Sequence, residues 1–101
     1  MLTGSQRKYL RGLAHGLHAK AQIGKEGLTD AVVASLDAPL PARELVKVQI
    51  LAERDERAAI VAELEPRLAC ECVGTIGRMA ILYRQQPDPE RRRIALPAAR
   101  G

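Results

Sequence analysis

Apolar residues first recur at helical spacing near the start of the chain. Leu10, Leu13 and Leu17 fall at i, i+3 and i+7, which predicts a helix over residues 3–15 with these leucines on its buried face. Thr3 and Gln6 form a T-x-x-Q capping box at its start, and Gly16 is a natural stop. A short strand is expected over Ala19–Ile23. Thr29 then caps a second helix, with Asp30 in its first turn and Val32, Val33 and Leu36 as its apolar stripe; Pro39 and Pro41 end it. Alternation is clearest over Glu44–Leu51, where Val46, Val48 and Ile50 interleave with Lys47 and Gln49, the mark of a strand. Asp55 is the expected cap of a third helix carrying Ile60, Val61, Leu64 and Leu68 on one face, and Pro66 is expected to kink or terminate it near Glu65. Cys70–Ile76 and Met79–Arg84 read as two strands joined by a tight turn at Gly77. Beyond Gln85 the chain is polar and punctuated by prolines, with Ile94-Ala95-Leu96-Pro97 as a short edge segment.

The element order αβαβαββ predicts an α/β fold. Each strand–helix–strand step favours a right-handed parallel crossover, and the last two strands favour an antiparallel hairpin. The expected product is a single domain with a mixed four-stranded sheet and three helices. The chain length of 101 residues suits one domain, placed at residues 1–97 with a tail at 98–101.

Composition narrows the function. The longest apolar runs, Ala58–Ala62 and Met79–Tyr83, are five residues each, too short for a membrane span. The first residues carry no apolar signal region, so a cytoplasmic location, with no membrane partner, is expected. The net charge is +4, and 12 of the 16 basic residues are arginine, which suits bidentate contacts to phosphate. Tyr9 and Tyr83 are the only aromatic residues. That argues against a base-stacking platform and leaves backbone and shape as the means of holding any nucleic acid.

Chemistry beyond binding finds little support. Cys70 and Cys72 alternate with Glu71 and Val73 and so share one strand face, where a mutual disulfide would be strained. They read as reduced core thiols. No further Cys or His lies near them to complete a metal site, so no metal and no cofactor is expected. His15 and His18 belong to no triad with Ser or Cys, and no catalytic residue is assigned.

Gln22 to Thr29 carries the most specific signal. It reads as a strand end, a G-x-x-G loop of Gly24, Lys25, Glu26 and Gly27, and a helix start. Glycines let the bare backbone approach a phosphate, and the following helix offers unpaired N–H groups and the positive end of its dipole. Lys25 adds a full charge; Glu26 must turn to solvent for the loop to accept an anion. The alternative is a plain connecting turn. Arg7, Lys8, Arg11 and His15 line a second helical face, either ordinary solvated surface or a phosphate-binding face. Its sign favours the latter, because no acid occurs among the first 25 residues, which also include Lys20. Lys47 protrudes from its strand as a further candidate, and Arg84 ends the last one. Arg91, Arg92 and Arg93 form either a solubilising tail or an adaptable phosphate clamp with a loosely held backbone.

These pieces together resemble the CRM domain (chloroplast RNA splicing and ribosome maturation) in its small stand-alone bacterial form, the YhbY-like proteins. The resemblance rests on Leu2-Thr3 with Gln6, Leu13-Ala14-His15, Ile23-Gly24-Lys25-Glu26-Gly27-Leu28-Thr29, Glu44-Leu45-Val46-Lys47-Val48, Ile76-Gly77, Leu82-Tyr83-Arg84 and Ile94-Ala95-Leu96-Pro97, which run in the family's order over nearly the whole chain. Pro41-Ala42-Arg43 and Pro66 depart from its pattern and bear on local geometry. The resemblance implies a fold similar to the C-terminal domain of translation initiation factor three. It implies RNA binding, namely to precursor large-subunit ribosomal RNA in the pre-50S particle, with Gly24–Gly27 as the family's G-x-x-G element; a monomer without catalysis is expected. A protein of another class, an adaptor whose basic face meets an acidic partner, is the alternative.

Overall fold

The computed structural model describes residues 2–98. Its first helix, α1 (Gly4–Ala14), starts as the capping box requires: Thr3 Oγ1 accepts from the Gln6 N–H at 3.2 Å, and Gln6 Oε1 accepts from the Thr3 N–H at 3.0 Å. Its buried stripe differs from the expected one. Gln6, Leu10 and Ala14 are buried at i, i+4 and i+8, Leu17 is half-buried, and Leu13 is 40% exposed. The polar Gln6 stays inside because its amide also donates to the Pro97 carbonyl at 2.9 Å. Burying it turns the helix so that Leu13 faces out.

Strand β1 (Ala21–Ile23) leads through the G-x-x-G loop into α2 (Asp30–Asp37), capped by Thr29. Pro39 and Pro41 end α2 as expected, but they also start a further helical turn, α3 (Leu40–Arg43), which the sequence reading lacks. Proline is at home in the first turn of a helix, where its missing N–H has no partner to lose. Glu44 then closes α3 at φ +65°, in the left-handed region, and turns the chain into β2 (Leu45–Ile50).

Helix α4 (Arg54–Leu68) begins one residue after Glu53, not at an Asp55 cap, and Asp55 and Glu56 instead fall in the first turn, where they favour the helix dipole. It also runs through Pro66. The proline removes one N–H bond to the Ala62 carbonyl, but Ala62 is exposed and its carbonyl can turn to water. Buried Leu64 and Leu68 hold the last turn in place. The helix ends three residues later than expected, at the left-handed Ala69 (φ +47°). β3 (Glu71–Ile76) and β4 (Met79–Tyr83) form the hairpin, with Gly77 at φ +59°.

The sheet order is β1-β2-β4-β3, with β1 parallel to β2 and the other pairs antiparallel. β4 thus inserts between β2 and β3, which themselves run parallel across it. A register shift between Cys72 and Gly74 leaves Val73 as the extra residue of a bulge. Strand alternation divides the core between two faces. On one, Ile23, Val46, Val48, Ile50, Ala80 and Leu82 pack under α2, α3 and α4 through Leu36, Leu40, Leu64 and Leu68. On the other, Leu45, Val73, Ile81 and Tyr83 meet Leu10 and Ala14 of α1, with Leu2, Leu17, Ile94 and Leu96 at its margin. Ile94–Pro97 is therefore no edge strand. It is an extended segment lying over the α1 side of the sheet.

Candidate nucleic-acid interface

The G-x-x-G loop leaves the sheet at buried Ile23 and is anchored at its far side by Leu28, which packs on the core under α2. Between these anchors the Gly27 N–H donates to the Gly24 carbonyl at 3.1 Å, closing a turn with Lys25 and Glu26 exposed at its tip. Gly27 sits at φ +70° and needs glycine for that reason. Gly24 does not have a positive φ, and a Cβ added there would meet nothing within 4 Å. The space above both glycines is open, as close approach by a ligand requires. The Thr29 hydroxyl accepts from the Val32 N–H at 3.2 Å and so occupies one of the free donors at the start of α2.

Two clefts flank the loop. One is shared with Leu51, Ala52, Glu53, Glu56 and Ile60, and its two carboxylates repel phosphate. The other, of about 310 Å³, is shared with Gln22, Thr29 and Val32. Lys25 lines both clefts, and the Gln22 side carries one carboxylate, Glu26, against two on the other, so it is the less repulsive approach for a polyanion.

The basic face of α1 is divided. Arg7 pairs with Glu71, its Nε 2.7 Å from Oε2. Arg11 donates to the Val73 carbonyl at 2.8 Å and lies across Gly74, where an added Cβ would come within 2.5 Å of its Cδ. Both arginines staple α1 to the β3 edge and its bulge, and Arg7 has its charge matched. Lys8 and His15 point to solvent. Lys47 donates through Nζ to the Leu17 carbonyl at 3.2 Å, and the neighbouring Lys20 is exposed, its N–H bonded to the Lys47 carbonyl at 2.7 Å.

Arg84 and the Arg91–Arg93 run lie at the end of the sheet away from the G-x-x-G loop, the same end at which Arg7 meets Glu71. Paired strand ends place the G-x-x-G loop, Leu51 and the Gly77–Arg78 hairpin at one end, and Glu44, Arg84 and the start of β3 at the other. Arg84 is committed to the fold: Nε donates to the Leu68 carbonyl at 2.9 Å, closing the C-terminal end of α4, and it also pairs with Asp37. The Arg91–Arg93 run is not loosely held. The fully buried Glu44 carboxylate accepts from the N–H groups of Gln86 at 2.8 Å, Arg93 at 2.6 Å and Ile94 at 2.9 Å. Pro89–Arg91 forms a short 3-10 turn, and Arg92 Nε donates to the Gln86 carbonyl at 2.7 Å. Arg91 and Arg93 remain exposed and line a shallow cleft with Pro41, Ala42 and Gln86. The candidate residues thus form two basic regions, one at each end of the sheet.

The sequence reading missed Arg78, which is exposed at the hairpin tip on the G-x-x-G end. Its position directly after the turn glycine was the available signal. The staple role of Glu44 had no such signal, because its partners lie more than forty residues away. Cys70 and Cys72 are free, half-buried and packed on the core under α2 and α4. Burial, reinforced by Glu65, pushes the Cys70 thiol up to about 11, and burial also raises Cys72. Among the described residues no three His, Cys, Asp or Glu side chains gather as metal ligands, and no helix is long and apolar enough to cross a membrane.

A mixed sheet with α1 on one face and α2, the short α3 and α4 on the other, carrying an open G-x-x-G loop between its edge strand and a capped helix, defines a class of small α/β domains. The sequence pattern of the CRS1/YhbY (CRM) domain matches residues 2–84, and the chain belongs to that family. It is 39% identical to the probable RNA-binding protein YqeI of Bacillus subtilis over 96% of this chain and all of that protein. It is 38% identical to a probable RNA-binding protein of Pseudomonas aeruginosa, over 89% of this chain and 88% of the relative. A solution structure of a candidate RNA-binding protein from Staphylococcus aureus superposes with a TM-score of 0.82 at 37% identity, covering 96% of this chain and 100% of that one. These names describe binding proteins, and none of them describes an enzyme.

Proposed function

We propose that this protein binds structured RNA without catalysing a reaction on it, and that its target is ribosomal RNA of the precursor large subunit, where it acts in 50S assembly as a cytoplasmic monomer. The observation that carries this reading is the open G-x-x-G turn with Lys25 free at its tip and a capped helix behind it. Gly24 and Gly27 admit the ribose-phosphate backbone, Lys25 supplies a charge-assisted contact, and Lys20 and Arg78 extend the positive field at that end. His15 and Lys47 lie between the two ends, and Lys8, beside Arg7, lies nearer the other one. Arg91 and Arg93 form a second contact region at the other end of the sheet, where an extended RNA can reach. Arg7, Arg11 and Arg84 serve mainly to position the elements that carry these groups. The names of the relatives support RNA as the polyanion. Crosslinking in cells followed by sequencing of the bound RNA tests the target. Enrichment of precursor large-subunit RNA is expected; recovery of no RNA, with an acidic protein in its place, would reject the proposal.

A further inference from the structure

One face of the sheet is only partly roofed. α1 and the segment around Leu17 cover Leu45, Ile81 and Tyr83. The outermost row at the G-x-x-G end lies beyond them. Its register is continuous across all four strands: Gln22 stands opposite Gln49, Gln49 opposite Met79, and Met79 opposite Ile76. Their chain neighbours Ile23, Val48, Ile50 and Ala80 face the α2–α4 core, so alternation places the four on the α1 side. Four strands at ~4.8 Å spacing make this row roughly 14 Å long. Gln22 is exposed, Ile76 is 51% exposed, and Gln49 and Met79 are half-buried.

The chemistry of the row is mixed. Two carboxamides stand side by side, each with a donor and an acceptor, and neither enters a hydrogen bond among the described residues, unlike the amides of Gln6 and Gln86. Met79 and Ile76 continue the row as an apolar strip. One row further along β1 and β2 are Lys20 and Lys47. Gln22 also lines the cleft that holds Gly24, Lys25, Glu26 and Gly27. A protein partner or a lipid surface would be met by a broader apolar patch without paired amides. A carboxamide matches the hydrogen-bonding edge of a nucleobase, a thioether packs well on a ring, and nearby ammonium groups suit the linking phosphates. A flat sheet reaches such base edges only when the bases are unpaired.

We propose that the row Gln22, Gln49, Met79 and Ile76 receives the bases of an unpaired RNA segment whose backbone is held at the adjoining G-x-x-G loop, giving this protein base contacts from a row that carries no aromatic side chain. The inference rests on the RNA-binding reading above. It is tested with a short single-stranded RNA of mixed sequence and the same strand bearing abasic sites. The wild type binds the base-bearing strand about tenfold more tightly than the abasic one, the scale of base-edge contacts. Gln22→Ala/Gln49→Ala brings that ratio close to one and leaves affinity for the abasic strand unchanged. Ile76→Thr, which keeps a β-branched residue in β3, lowers the ratio severalfold and decides the matter if the double variant misfolds. Lys25→Ala weakens both strands alike and preserves the ratio. Equal affinity of the wild type for the two strands, or an undiminished ratio in the well-folded variants, would overturn the base-binding row and leave RNA binding intact. No binding of either strand or of a structured RNA by the wild type would instead overturn RNA binding itself.

Discussion

Replacing Glu44 by Ala removes the one carboxylate that ties the C-terminal segment to the sheet. Its two oxygens accept three backbone N–H groups at 2.6 to 2.9 Å, and the side chain is fully buried. A hydrogen bond to a charged group contributes about 1.5 kcal/mol or more, so three sum to ~4.5 kcal/mol. Relief of the buried carboxylate's desolvation offsets part of this, and a net loss of about 3 kcal/mol is expected. For a domain of this size each kcal/mol lowers Tm by roughly 4 to 8 °C, giving a fall of about 12 to 24 °C. Glu44→Gln keeps one good acceptor and should lose about half as much. Glu44→Gly also removes the cost of a left-handed non-glycine residue, ~1 kcal/mol, and should be more stable than the Ala variant by that amount. Thermal unfolding gives the totals. Amide hydrogen exchange gives the location: Gln86, Arg93 and Ile94 should lose protection before the strands do. A loss under about 1 kcal/mol, with those three amides still protected, would refute the staple.

Three further outcomes are expected. Cys70 and Cys72 hold their protons in the fold above the ordinary thiol value of 9.0, Cys70 to about 11, so iodoacetamide should modify them slowly at pH 8; native stability should fall as pH rises from 9 towards 11, because the unfolded chain loses these protons first, and Cys70→Ala/Cys72→Ala should flatten that fall, lower stability at neutral pH through lost packing and leave RNA affinity per folded molecule unchanged. The Tyr83 hydroxyl is buried without a hydrogen-bond partner among the described residues, so urea titration of Tyr83→Phe should show unchanged stability or a gain of up to ~1 kcal/mol, and a clear loss would reveal a partner. Arg91→Ala/Arg93→Ala should reduce the magnitude of the salt slope of RNA binding by about 1.5, the share of two phosphate contacts, without changing which RNA is preferred; an unchanged slope would mark both as solvated surface.

Local patterns were legible where one residue's surroundings are its sequence neighbours. The Thr3–Gln6 box, the Thr29 cap, the alternating β2 and the Gly77 hairpin all appear as read. The misreadings arose where distant parts of the chain decide. Gln6 is inside because Pro97 reaches it, and Leu13 is outside as a consequence. Pro66 is tolerated because packed leucines hold the helix end that propensity alone would open. Arg7 and Arg11 read as free cations because Glu71 and Gly74 lie more than sixty residues on. The Arg91–Arg93 run read as loose for the same reason: its anchor, Glu44, lies in another element. The strand end, turn and Thr29 cap around the G-x-x-G segment were legible because they are contiguous, although β1 starts only at Ala21 and only Gly27 takes a positive φ. The sheet row beside it depends on register across four strands and could be seen only in the fold.

The most direct test of the central claim is equilibrium binding of the wild type and Gly24→Asp to a structured large-subunit RNA fragment over a range of salt concentrations. If the loop grips backbone, the wild type contacts about four to six phosphates and log affinity falls against log salt with a slope of roughly −3 to −5. Gly24→Asp meets open space and no positive φ, so circular dichroism should show an intact fold while the added carboxylate weakens binding about tenfold and makes the slope shallower by roughly one phosphate contact. A flat salt response in the wild type, or wild-type affinity in a folded Gly24→Asp protein, would contradict the claim.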